Sequence, residues 1–308
     1  MWVVINSSLI RLAAVGELSL NWLILFNLSF RGLLFGGFIS LAACGLSLAF
    51  QLGFINAAHG DMAVLSAYLS WVLLSIFGID PFISLIIVVP SIVIIGFALQ
   101  KFLLNRFLLR GLMDTVIIIT FSIGMVIQNM LQLIFSADFK TLMQPYIMQA
   151  LSIGFLNIPL TYLINFVFAL VLFTVLHFFF TKTFAGRAFR AVPQDSEAAM
   201  MFGVKPEVAY IYGMGIMAMT QAIFGVLMGI SYVFAPSSGS TYLLLPLGAI
   251  MLGGLGSLKR TFIGGLIIGE ILILSGYFFG AQYQYIMCHL ITLILILFKP
   301  EGLLVKRT

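Results

Sequence analysis

Apolar positions fall in long unbroken blocks: Leu33–Ile55, Met62–Phe77, Phe82–Leu99, Val116–Phe135, Leu160–Phe180, Ala209–Phe234, Phe262–Phe279 and Tyr283–Phe298. A weaker, glycine-rich block covers Leu243–Leu258. A helix needs about 20 apolar residues to cross the ~30 Å hydrocarbon core of a bilayer, and the blocks approach or reach that length. Strands of a membrane barrel alternate apolar and polar residues, whereas these runs are continuous. The pattern predicts an all-α, polytopic helical bundle of about eight or nine transmembrane helices, with residues 1–308 as a single membrane domain. Ser19–Phe30 reads either as an interfacial helix or as part of a span.

Composition sharpens this picture. Of 308 residues, 62% are hydrophobic and only 8% charged, against roughly a quarter charged in soluble domains. So much apolar surface cannot be hidden inside a chain of this size, so the excess faces lipid. A soluble enzyme, a nucleic-acid binder and a disordered regulator are excluded. The formal charge of +5 then reads as membrane orientation, because Lys and Arg sit in the gaps between blocks. The clusters are Lys101/Arg106/Arg110, Lys182/Arg187/Arg190/Lys205, Lys259/Arg260 and Lys299/Lys306/Arg307. All four share one side if Leu243–Leu258 crosses the membrane, and that version puts the carboxyl terminus in the cytoplasm. Cys44 and Cys288 lie inside apolar blocks with no CxxC partner, so neither a disulfide framework nor a zinc site is implied. Around Met1–Phe30, Arg11, Glu17 and Arg31 interrupt the run, and no cleavable signal peptide is evident.

Glycines recur at four-residue spacing in Gly32/Gly36, Gly225/Gly229, Gly265/Gly269 and Gly276/Gly280. Small residues so spaced let helix backbones approach closely in lipid. They predict a tightly packed bundle and carry no specific function.

Two places break the pattern. The first, Gly53–Asp61, sets two glycines, Asn56, His59 and Asp61 between apolar blocks with almost no hydrophilic loop. At membrane depth such a broken helix lines a transport path and offers Asn56, His59, Gly60 and Asp61 to a solute. At the surface it is a tight turn in which His59 and Asp61 cap the helix from Met62 onward. Spacing alone leaves both readings open.

The second break is the polar stretch from about 181 to 207. Arg187–Val192 suits a helical turn that stops before Pro193. Asp195 is placed to cap a short helix, Ser196–Phe202, which Gly203 ends, and Pro206 opens the next span. This short helix carries Ala198 and Ala199, protrudes Met201 and Phe202, and is flanked by Arg187 and Arg190. It reads either as a docking knob for a cytoplasmic partner or as a solvated connection.

At this point the residues carry a resemblance. Gly186-Arg187-Ala188-Phe189-Arg190-Ala191, followed by Glu197-Ala198-Ala199 and Gly203, resembles the EAA-type loop of bacterial ABC importer permeases. Ile55-Asn56-Ala57-Ala58-His59-Gly60-Asp61 is similar to a segment of the branched-chain amino acid permeases, with Ala57 where that family usually has Phe and Asp61 where it has Glu. Met251–Ser257, with Gly264 and Gly265, resembles their glycine-rich segment, although Lys259-Arg260 replace the Pro-Gly that often follows. Pro300-Glu301-Gly302-Leu303 matches their closing pattern. The likeness runs from about Phe30 to the carboxyl end and suits the LivH-type subunit better than its LivM-type sister.

The resemblance implies the permease subunit of a binding-protein-dependent ABC importer in a bacterial or archaeal plasma (inner) membrane. It would carry branched-chain or other hydrophobic amino acids; urea or short amides are the alternative within the family. It implies as partners ATP-binding cassette ATPase subunits, a second permease subunit (LivM-like, or an identical copy), a periplasmic or extracellular solute-binding protein and the lipid bilayer, with no nucleic acid. Gly186, Arg187, Arg190, Asp195, Glu197, Ala198, Ala199 and Gly203 would form the loop that couples to the ATPase. No Gly-x-x-x-x-Gly-Lys-[Ser/Thr] phosphate loop is present, so ATP would be bound by partners. The expectation is a transport subunit and not an enzyme, with no catalytic residue, no cofactor and no metal of its own.

Rival readings come from other classes. A passive channel for a small neutral solute would have no use for the capped loop. An ion-coupled transporter would bury several acids in its spans, whereas only Glu270 is clearly so placed, with Asp61 and Asp114 at edges. A bond from Glu270 to a neighbouring helix is the commoner role for such an acid. His177 and His289 lack ligand partners at metal spacing and read as packed residues.

Overall fold

The computed structural model describes residues 22–305 other than Tyr146, Met148, Gly154 and Phe155. Its helices are α1 (Trp22–Gln51), α2 (His59–Phe77), α3 (Pro81–Leu99), α4 (Asn105–Leu108), α5 (Met113–Phe135), α6 (Leu160–Lys182), α7 (Phe184–Ala191), α8 (Ser196–Met201), α9 (Pro206–Ser231), α10 (Gly239–Gly253), α11 (Leu258–Phe279) and α12 (Gln284–Phe298). Eight helical segments are long and apolar enough to cross a membrane, α3 doing so together with α4. An all-α polytopic bundle is therefore observed.

α1 starts earlier than the apolar block that predicts it. Trp22–Phe30 belongs to the same helix, while Ser19–Asn21 lie outside the described residues, as do Lys306 and Arg307. Arg31 does not interrupt the helix because its Nε donates to the Asn157 carbonyl, 2.8 Å away, in the loop before α6. That loop also holds a small antiparallel hairpin, β1 (Ala150–Ile153) with β2 (Leu156–Pro159), which the run-based reading did not anticipate. α3 opens with Pro81 after Asp80, whose carboxylate accepts the Phe82 N–H at 2.8 Å. Between α3 and α4, Gln100–Leu104 forms a π turn.

Close backbone approach holds the bundle together. α1 and α11 meet through interleaved glycines: a Cβ on Gly36 would strike the Leu266 backbone, and one on Gly269 would strike the Gly36 backbone. Ser40 Oγ, one turn further on, donates to the Phe262 carbonyl at 2.7 Å. Glu270 sits on this seam, its carboxylate over Gly32 and hydrogen-bonded to Ser29 of α1. Two of the four predicted pairs, Gly32/Gly36 and Gly265/Gly269, thus fall on this seam, where dispersion contacts accumulate in lipid, while Gly225 brings α9 onto the Ala63 backbone of α2.

The glycine-rich block resolves into α10 and its approach. After α9 ends at Ser231, the chain turns back as non-helical backbone and a 3₁₀ turn, Pro236–Ser238. α10 then runs for 15 residues, about 22 Å, which is short of a full crossing on its own. Its start lies against Gly60 and Asp61, and the turn after it, at Gly256, borders a surface recess shared with Gln51, Gly53, Arg190 and Pro193. The segment therefore crosses, half as irregular chain and half as helix. With that crossing, the basic clusters from Lys101 to Lys299 gather at one end, and Arg31 and Lys140 lie at the other.

Candidate functional site

The break between α1 and α2 runs from the recess at the basic end, which Gly53 borders, to mid-depth at Asp61. Gly124, the middle residue of α5, packs on Asp61, and Gly45 packs on both Thr220 and His59. The polar residues of the break have different surroundings. Asn56 is fully buried: its Oδ1 accepts the Ala58 N–H at 3.1 Å and its Nδ2 reaches Met214 Sδ at 3.9 Å. Asn56, and not His59 or Asp61, thus satisfies a free N–H ahead of α2. His59 is also fully buried, with Nδ1 3.0 Å from Gln221 Nε2 and the ring toward the Ala42 carbonyl. Thr120 of α5 completes the support, accepting the Ala57 N–H at 3.1 Å and reaching the Ile55 carbonyl at 3.4 Å. The freed backbone groups are thereby met from neighbouring helices, as membrane depth requires.

Asp61 differs. It is partly exposed, and its carboxylate rests between two glycines, Gly124 of α5 and Gly239 at the start of α10, where any Cβ would collide with it. Gly60 faces the Gly239 carbonyl as closely. Ile55 is 37% exposed and Ala57 partly so. An accessible line therefore runs along Ile55, Ala57 and Asp61, with α5 to one side and the start of α10 at its outer end.

The second candidate region forms at the basic end. Thr183 caps α7, accepting the Gly186 N–H at 3.0 Å, and Gly186 is pressed against the Phe179 and Phe180 backbone. The helix is longer than the turn expected from Arg187–Val192, because the Thr183 cap starts it at Phe184. Asp195 caps α8 through the Ala198 N–H at 2.9 Å, and Gly203 takes φ +79° beyond it, as the sequence predicts. Met201 and Phe202 stand 85% and 84% exposed, with Glu197 and Asp195 also exposed, while Ala199 is buried beneath them. Arg187 and Arg190 lie on the exposed side of α7.

Phe189 was not singled out from the sequence, yet it anchors this region. It is buried, its ring 5.0 Å from that of Phe180 and lodged against Gly213 of α9, on which Leu52 at the head of the break also packs. At the α8–α9 junction, Asn105 Nδ2 donates to the Glu207 carbonyl at 3.4 Å while its Oδ1 accepts from Gln100 Nε2 at 2.9 Å, so the π turn supports the base of α9. The closing motif folds back on the glycine-rich segment: the Leu303 N–H donates to the Leu252 carbonyl at 2.8 Å, and Gly302 lies on Gly254. Among the described residues, no group of three or more His, Cys, Asp or Glu is arranged to hold a metal.

The high-affinity branched-chain amino acid transport system permease protein BraD of Pseudomonas aeruginosa is 26% identical over 290 residues, covering 89% of this chain and 94% of its own. LivH of Escherichia coli K12 is 26% identical over 310 residues with the same coverage. Among solved structures, PsaBC from Streptococcus pneumoniae in complex with Fab aligns at a TM-score of 0.45 and 15% identity, over 89% of this chain and 91% of that one. Residues 28–298 match the family described as the branched-chain amino acid transport system / permease component. The chain belongs to that family of membrane transport permeases, as a LivH-type member.

Proposed function

We propose that this chain is the membrane-spanning permease subunit of a binding-protein-dependent ABC importer, moving branched-chain or other hydrophobic amino acids inward with ATP hydrolysed by partner subunits. The whole chain acts as one permease unit without a cofactor of its own. It pairs with a second permease, receives solute from a binding protein outside and docks ATP-binding cassette subunits inside. The basic end, with the carboxyl-terminal segment, faces the cytoplasm of a bacterial or archaeal cell.

One observation supports this reading above the rest: Phe189 links the knob to the solute segment. α8 presents Met201 and Phe202 to the ATPase. α7 passes the displacement through Phe189 to Gly213 of α9, on which Leu52, immediately before Gly53, also packs. Movement at the knob thus reaches both the chain entering the break and the helix that holds His59 through Gln221. The solute follows the accessible line past Asp61, while Asn56, His59 and Gly60 keep that line in shape. An apolar route suits a solute delivered by a binding protein, because the permease itself need not bind tightly.

The test is coupling. Gly203→Pro denies α8 its left-handed end, and Glu197→Lys reverses charge on the exposed knob. Both variants are expected in the membrane at normal amounts, with ATP hydrolysis no longer tied to uptake in the reconstituted complex. Normal uptake in both would refute the docking role.

A further inference from the structure

At mid-depth, the chain shows polar groups that lipid cannot accommodate. Ser240 and Thr241 follow Gly239 directly, Ser237 lies two residues before it, and all three are exposed without a hydrogen bond inside the chain. Asp61 touches the Gly239 backbone and is partly exposed itself. Among the described residues the only ion pair is Lys140–Asp138, so the Asp61 carboxylate has no cation of this chain beside it. Hydrocarbon against this face would leave a carboxylate and three hydroxyls unsatisfied. Such a face needs polar cover, which on the importer reading the second permease subunit supplies, with water and solute between the two.

The site is shaped around a charge. Asp61 occupies the first turn of α2 and abuts Gly239, the first residue of α10. Glycine at both 124 and 239 keeps side chains off its oxygens. The segments that meet at Asp61 also carry exposed apolar side chains, with Ile55 37%, Leu244 50% and Phe121 58% exposed. An anionic point beside a greasy wall matches a solute bearing one ammonium group and a hydrocarbon side chain.

Resting on the importer reading, we infer that Asp61 is the specificity-determining residue of the route, its carboxylate receiving the ammonium group of a zwitterionic amino acid. The hydroxyls of Ser237, Ser240 and Thr241 supply polar contacts for the remainder of the solute's head group. A neutral amide would gain little from such a site.

The complete transporter, reconstituted with its binding protein, ATPase and second permease, tests this with radiolabelled L-leucine, urea and acetamide. Asp61→Asn is expected to lower leucine uptake at least about tenfold, and Asp61→Glu, which keeps the charge, to stay within about threefold. Wild-type leucine uptake by D61N overturns the inference. ATP-driven import of urea or acetamide but not leucine by the unaltered complex also overturns it and leaves the permease reading standing. If the unaltered complex imports none of the three with ATP, the permease reading fails with it. Should D61N not reach the membrane, Thr241→Cys decides, since Cys44 and Cys288 are buried. The ratio of its rates with a cationic and an anionic methanethiosulfonate should exceed the ratio on a free thiol at least roughly fivefold; a ratio equal to the free thiol's overturns the inference.

Discussion

Single side chains in the break divide the work between holding and exposing. Asn56 Oδ1 and His59 Nδ1 are engaged inside the protein, by the Ala58 N–H and by Gln221, whereas the Asp61 carboxylate lies between two glycines on a partly exposed residue. Glu270 shows the opposite use of an acid, since it is tied to Ser29 across the α1–α11 seam. A hydrogen bond between membrane helices contributes about 0.6 kcal/mol on average, and glutamine keeps a group able to make it. Glu270→Gln is therefore expected to sustain uptake within about twofold of the unaltered chain; a loss beyond tenfold at equal membrane content would assign Glu270 a part in transport. The sequence identified Asn56, His59, Gly60 and Asp61 as belonging together, because polar residues between apolar blocks stand out. It did not separate the holders from the exposed group, since the separation depends on Thr120, Gln221 and Gly239, which lie far along the chain. Phe189 was missed for a similar reason: among 30 phenylalanines, only packing distinguishes one. The hydroxyl-rich Pro236–Thr241 stretch was a usable signal that went unread.

The helices themselves were largely legible, because a block of apolar residues is both the cause of membrane insertion and the thing read. Caps were equally accessible: Asp195, Gly203 and Pro206 act where their chemistry predicts. Depth was not. Hydropathy counts residues, so it gave Leu243–Leu258 as a weak span without showing that helix begins only midway across. The π turn at Gln100–Leu104 was likewise invisible, its register being set by Asn105 meeting the Glu207 carbonyl. At this scale the α1–α11 seam is the bundle's critical contact. Gly269→Leu would force a branched side chain into the Gly36 backbone, an overpacking that separation of the helices alone can relieve. The variant should lose protease resistance in detergent at a temperature well below the unaltered chain's; an unchanged profile would remove the seam from its central role.

Across the whole molecule, the crossing of α10 brings the basic helix ends to one side, and the proposed orientation follows from that side facing the cytoplasm. The helices carrying Lys101–Arg110, Lys182–Lys205, Lys259/Arg260 and Lys299 all end on the side of α8, as the excess of Lys and Arg in cytoplasmic loops requires. Cysteines placed singly at Met201 and Thr141 should report it. In right-side-out vesicles, an impermeant thiol reagent is expected to label Thr141→Cys directly and Met201→Cys only after permeabilisation. The reverse order would invert the topology and remove the knob from the ATPase.

The loop that follows α5 is stitched to the backbone that dips toward Asp61. Lys140 and Phe234 exchange two main-chain hydrogen bonds, at 2.8 and 2.9 Å, and the Leu142 N–H donates to the Gly229 carbonyl at 2.8 Å. From Phe234 the chain needs only five more residues to reach Gly239. Any displacement of this loop therefore has only a short run of backbone to travel before it arrives beside the carboxylate in the middle of the membrane.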